Sequence, residues 1–167
     1  MSGLERLSAV LYREAQLLDT QRWDDWLALY RADAEFWLPA WTDEHRLAAS
    51  PETELSLMYC SARAGLEDRV WRLRSGLSVA STPPLRTVHS ISNVLRVGAG
   101  TTGAAAWAEL HSSWTCHVWN LKRQQQHVFF GRYEHRLRRQ GDEWLIARKK
   151  VTLMNDRIPT MIDFYCV

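Results

Sequence analysis

The residues of this chain best suited to chemistry are six histidines, three cysteines and a scatter of carboxylates and tyrosines. Their spacing decides what they can do together. Cys116 and His117 are adjacent, so in an extended strand they point to opposite faces. His111 and His117 share a face but stand about 20 Å apart along a flat strand. A mononuclear iron needs two histidines and a carboxylate converging with open positions, and a Rieske cluster needs cysteine and histidine pairs at short spacing. No local stretch carries either pattern, which leaves only ligands brought together from distant segments. No Gly-x-Ser-x-Gly elbow, low-pKa cysteine setting or glycine-rich phosphate loop is present.

Acid–base chemistry centres on His89. In a strand it shares a largely apolar face with Thr87, Ile91, Asn93 and Leu95. One reading makes it a hydrogen-bonded core or interface residue. The other sets His89 and His111 with Tyr30 and Asp33 inside a cone-shaped pocket, where burial tunes their pKa values for proton transfer. Small curved-sheet enzymes of the scytalone dehydratase and ketosteroid isomerase type work in that way. A stand-alone dehydratase or isomerase is therefore the alternative to a supporting role.

The charged run Leu66-Glu67-Asp68-Arg69-Val70-Trp71-Arg72-Leu73-Arg74 also has two readings. Acids near its start and bases near its end match the helix macrodipole, as on a solvated helix. Alternatively its arginines make bidentate contacts to a partner and Trp71 is the anchor.

These groups have to be positioned by elements that the hydrophobic pattern predicts. Leu4, Leu7, Leu11, Ala15 and Leu18 recur at helical spacing. Asp19-Thr20 offers a cap for a second, short helix whose Trp23 and Trp26 share a packing face. Residues 34–38 and 54–60 read as strands, with a loop over 41–51. A third helix spans 61–75, capped by Ser61 and closed by Gly76 in the left-handed conformation. Pro83-Pro84 then breaks the chain. Strands follow over 86–97, 103–119, 127–138 and 143–154, with turns at Gly98-Ala99-Gly100 and Gln140-Gly141-Asp142. The strand over 103–119 would reach about 50 Å if flat, so a bend or bulge is expected in it. The arginines at 136, 138 and 139 read as a solvated sheet edge that discourages stray pairing. Helices first and antiparallel strands after them give an α+β domain, with a strongly curved sheet wrapping the N-terminal helices.

With 167 residues the chain reads as one domain over 1–167, large enough for its own core. A net charge of +2 is too small to argue for nucleic acid or an acidic membrane surface. No stretch approaches the ~20 apolar residues of a membrane span, and the opening residues carry no leader pattern. Three dispersed cysteines form no disulfide framework, so a reducing cytoplasm is the simplest compartment. Nine tryptophans are unusual, and large aromatics concentrate in cores and permanent interfaces.

Four blocks bring a family into view. They are Leu11-Tyr12-Arg13-Glu14-Ala15 with Trp26-Leu27-Ala28-Leu29-Tyr30; Leu66-Glu67-Asp68-Arg69-Val70 through Arg86-x-x-His89-x-Ile91-Ser92-Asn93; Phe129-Phe130-Gly131-Arg132; and Trp144-Leu145-Ile146-Ala147-Arg148-Lys149-Lys150. In order and spacing they resemble the small, or beta, subunit of aromatic-ring-hydroxylating dioxygenases, from about residue 7 onward. Phe36-Trp37-Leu38-Pro39-Ala40-Trp41, Arg63-Ala64-Gly65 before Leu66, and a tail of Met154-Asn155-Asp156-Arg157 to Asp163-Phe164-Tyr165 look most like the benzoate, toluate and anthranilate branch. Cys166-Val167 departs from that branch's usual His-Leu ending.

The resemblance implies an NTF2-like, cystatin-like cone. It implies a partner large (alpha) subunit in an α3β3 hexamer, with the small subunits trimerising. The Rieske [2Fe–2S] cluster and mononuclear Fe(II) would lie in the large subunit, and a reductase would supply electrons from NADH through FAD. This chain would hold no cofactor and no catalytic residue, and would be mainly structural. Arg69, Trp71, Arg72, Arg86 and His89 are the expected interface or architecture-fixing groups.

Overall fold

The computed structural model describes residues 3–78, 81–159 and 162–167; the opening Met1-Ser2, read above against a leader, lies outside the described residues. Helix α1 (Gly3–Asp19) buries Leu7, Leu11, Glu14 and Leu18, one stripe at three- and four-residue spacing. Helix α2 (Trp23–Ala28) follows a tight turn through Gln21 at φ +56°. Its N-cap is Arg22, so Asp19 does not cap it; the carboxylate is engaged elsewhere.

Strand β1 (Tyr30–Pro39) starts four residues earlier than its apolar core suggested, because parallel pairing with the last strand extends it. Strand β2 (Ser56–Cys60) leads into α3 (Arg63–Arg74). Ala62 is the N-cap of α3 with no side-chain bond, so the expected Ser61 cap is not formed. At the other end Gly76 has φ +72°, the left-handed conformation a helix terminus needs.

The second half is a meander of long strands: β3 (Arg86–Thr102), β4 (Ala105–Asn120), β5 (Gln125–Gln140) and β6 (Glu143–Leu153). A short 3-10 turn covers Phe164–Cys166. The sheet order is β2-β1-β6-β5-β4-β3, and β1–β6 is its parallel pair. Alternate residues of β4 are buried, including Leu110, Trp114, Cys116 and Val118, while His111 and His117 stand on the outer face. This curved sheet closed over helices is the cone that the resemblance implied.

Further local expectations are corrected. Gly98 to Gly100 is not a turn; it lies inside β3, and the reversal falls at Gly103 with φ +60°. Those glycines are needed because the Trp107 ring lies across them, and a Cβ at Gly100 would sit 3.0 Å from it. The bulges expected in β4 are carried by β3, whose register shifts after Ser92 and again after Arg96. Asn93 adopts φ +53° there, which takes Asn93 and Leu95 off the face that carries His89. Finally, the 136–139 arginines sit on β5, between two neighbours, so they guard no sheet edge.

Aromatic rings fill the interior. Trp26 stacks on Phe164 at 4.9 Å, and Trp114 lies parallel to Tyr133 at 5.1 Å. Such pairs contribute roughly 0.5–1.5 kcal/mol beyond the burial of their area. The tryptophans of α2 therefore act in packing, as their shared face predicted.

Candidate functional site

Asp19, the last residue of α1, reaches across to β3 and binds it three times. One carboxylate oxygen accepts from Thr87 Oγ1 at 2.9 Å and lies 2.6 Å from His89 Nδ1. The other accepts from the His89 main-chain N–H at 2.9 Å. The His89 side chain is 1% exposed, and its Nε2 has no hydrogen-bond partner among the described residues. The dyad has the form of an acid–base pair, but its imidazole is buried and the pair joins a helix end to a strand.

The other members of the acid–base set are placed apart. Tyr30 is in the core and donates its hydroxyl proton to Glu14. Asp33 is on the surface, 2.8 Å from Arg31 Nε. His111 is on the outer sheet face, 3.8 Å from Glu109. His89, His111, Asp33 and Tyr30 thus each have a separate partner, and no shared pocket is assembled from them. The dehydratase arrangement is not formed.

Of the residues that do converge, only Tyr30 was singled out in the sequence, and for a different set of partners. Glu14 comes from α1, Tyr30 from β1, His135 from β5 and Lys149 from β6, with His135 and Lys149 directly paired across the strands. Glu14 Oε1 accepts from Lys149 Nζ at 2.9 Å, and Oε2 lies 3.0 Å from His135 Nε2. Lys149 also stands 4.2 Å over the Tyr133 ring. Burial pushes the Glu14 carboxyl upward, but the Lys149 charge and the His135 hydrogen bond outweigh it and hold it well below the usual carboxylate range. Burial lowers His135, against the pull of Glu14, so the ring is neutral and Nε2 carries the shared proton. Side-chain exposure of Glu14, His135 and Lys149 is at most 1%. A substrate cannot reach them. The group is a buried ionic core.

Iron ligands are not assembled either. Among the described residues no group of three or more His, Cys, Asp or Glu side chains could hold a metal ion. All three cysteines are buried, and burial pushes the Cys116 thiol up and the Cys166 thiol to about 12, far from a ligating thiolate. Neither a Rieske cluster nor a mononuclear iron fits this donor set.

What remains is surface. Trp71 of α3 is 63% exposed, with Arg72 beside it exposed and Arg69 3.8 Å from Asp163. Arg86 opens β3 on an exposed position. Leu55 just before β2, and Leu57 and Tyr59 within it, point outward, while Met58 and Cys60 face in. Val88, Leu95 and Val97 are exposed on β3, the other edge strand.

A cone with its interior filled by aromatic rings and ion pairs, and apolar side chains left on both edge strands, defines a building block of an assembly. The chain belongs to the family of ring hydroxylating beta subunits, whose family pattern matches residues 13–160. It is 38% identical over 166 residues to the benzoate 1,2-dioxygenase subunit beta of Acinetobacter baylyi, covering 98% of this chain and 93% of that one. To the toluate 1,2-dioxygenase subunit beta of Pseudomonas putida it is 40% identical, covering 98% of this chain and 97% of that one. The crystal structure of the beta subunit of benzoate 1,2-dioxygenase from Burkholderia mallei superposes with a TM-score of 0.79 at 36% identity, over 100% of this chain and 99% of that chain.

Proposed function

We propose that this chain is one domain over residues 1–167 and serves as the structural small subunit of an aromatic-carboxylate 1,2-dioxygenase. Its partner is a large subunit carrying the Rieske [2Fe–2S] cluster and the mononuclear Fe(II), in an α3β3 hexamer whose small subunits trimerise. A reductase passes electrons from NADH through FAD to that complex, and the complex is cytoplasmic. The observation that carries the reading is near full-length similarity to the benzoate and toluate small subunits, in a chain whose buried His135 and Lys149 both pair with Glu14. Arg69, Trp71, Arg72 and Arg86 are surface groups suited to the partner contacts, and His89 fixes the architecture from inside. No helix among the described residues is long and apolar enough to cross a membrane. The test is co-expression with the large subunit, followed by assay of NADH-dependent dihydroxylation of benzoate with the reductase. The pair should turn over and co-purify; turnover by this chain with reductase alone would overturn the proposal.

A further inference from the structure

Beyond the first turn of α1 the long strands continue and leave a notch of about 340 Å³ on the inner side of the sheet. Leu7 and Trp107 line it together with Ala99, Ala106 and Ala108, whose short methyl side chains leave the space open. The part-buried Trp144 indole forms an apolar wall. Arg6 from α1, Arg96 from β3 and Arg139 from β5 surround the opening, and no Asp or Glu is among its lining residues.

The cations are not all neutralised. Arg139 donates to the Gly141 carbonyl at 3.0 Å and to Asp142 at 3.3 Å. The neighbouring Arg136 is matched to Glu109. Arg6 and Arg96, by contrast, have no ion pair or hydrogen bond among the described residues. Arg96 extends to the opening of α1, where a Cβ on Gly3 would lie 3.9 Å from Nη1. Two uncompensated guanidiniums from separate elements are thereby held over a small apolar floor beside an indole.

We infer that this notch is a binding site for a small aromatic monocarboxylate. Guanidinium forks match the geometry of a carboxylate. The alanine floor and indole wall suit a flat apolar body rather than a hydrated ion. A volume near the lower end of the roughly 300–1,000 Å³ range of ligand pockets suits one ring. The site stands on this chain's own residues and does not depend on the subunit assignment.

The test titrates the full-length chain, without any large subunit, with sodium benzoate, followed by calorimetry and ligand-observed NMR. Saturable binding is expected, and Arg6→Gln and Arg96→Gln should each weaken it by at least about fivefold. Arg132→Gln, on the outer face, should leave it unchanged. Acetate, which lacks the ring, and benzyl alcohol, which lacks the charge, should each bind at least about fivefold more weakly. Arg6 and Arg96 are exposed, so circular dichroism should show the variants folded. Absence of saturation, affinity unchanged in both notch variants, or acetate binding as well as benzoate would each overturn the inference. None of those results would touch the assembly assignment.

Discussion

A carboxylate buried among hydrocarbon ordinarily takes up a proton, because an uncompensated charge there is far too unfavourable. Glu14 stays ionised because Lys149, Tyr30 and His135 saturate both of its oxygens. Acid stability follows from the directions of these shifts. Unfolded, His135 titrates near 6.5 and Glu14 near 4.5, and both folded values lie lower. Below each unfolded value the unfolded chain binds the extra proton, so stability present above 6.5 declines as pH falls through it and declines further below 4.5. His127 is also lowered by burial, so the comparison has to be made against a variant. In His135→Gln the decline between 6.5 and 4.5 should be shallower than in the parent, by denaturant midpoints across that range. Parallel curves for the two proteins would refute a neutral buried His135. That these groups meet was not legible beforehand, although Tyr30 was singled out for other partners. They are up to 135 residues apart, and each alone looks like an ordinary polar residue on a mixed face.

At the scale of the element, β5 and β6 approach so closely at Gly131 that a Cβ there would sit 1.8 Å from the Thr152 carbonyl oxygen. Backbone cannot yield as a flexible side chain does. Gly131→Ala should therefore destabilise the chain by at least the ~1–3 kcal/mol typical of overpacking, measured by urea unfolding. A loss under about 0.5 kcal/mol would show that the two strands part easily. The elements themselves were largely readable: α1 from its leucine spacing, β4 to β6 from alternation, and the end of α3 from Gly76. The errors came where a residue serves a distant neighbour. Gly98 and Gly100 look like a turn but make room for Trp107 on the next strand. Asp19 looks like a cap for α2 but binds Thr87 and His89, about 70 positions on.

For the whole molecule, a substitution at the exposed Trp71 tests whether folding and the proposed assembly are separable. At 63% exposure it contributes little to the chain's own core. Trp71→Ala should leave the melting midpoint of the isolated chain within the range of a surface change, about 0.5 kcal/mol. It should weaken association with the large subunit by about 2 kcal/mol or more, as a central aromatic anchor does. Unfolding curves on the free chain and sedimentation of the co-expressed complex measure the two effects; unaltered assembly would remove Trp71 from the interface. Family membership was legible from motif blocks spanning the chain, whereas the notch was not, since Arg6, Arg96 and Arg139 meet only after the sheet has curled. The parallel junction of β1 with β6 bears on how the protein is made. Glu35 meets Arg148 across 113 positions, and Glu14 meets Lys149 across 135. On the ribosome the first strand and its acidic helix emerge long before the strand that completes them. The β3-to-β6 hairpins can pair locally, but the N-terminal third must wait with Glu14 uncompensated and its apolar stripe bare. The first strand therefore gains its parallel partner, and Trp26 its stack on Phe164, only after β6 and the closing 3-10 turn have left the tunnel.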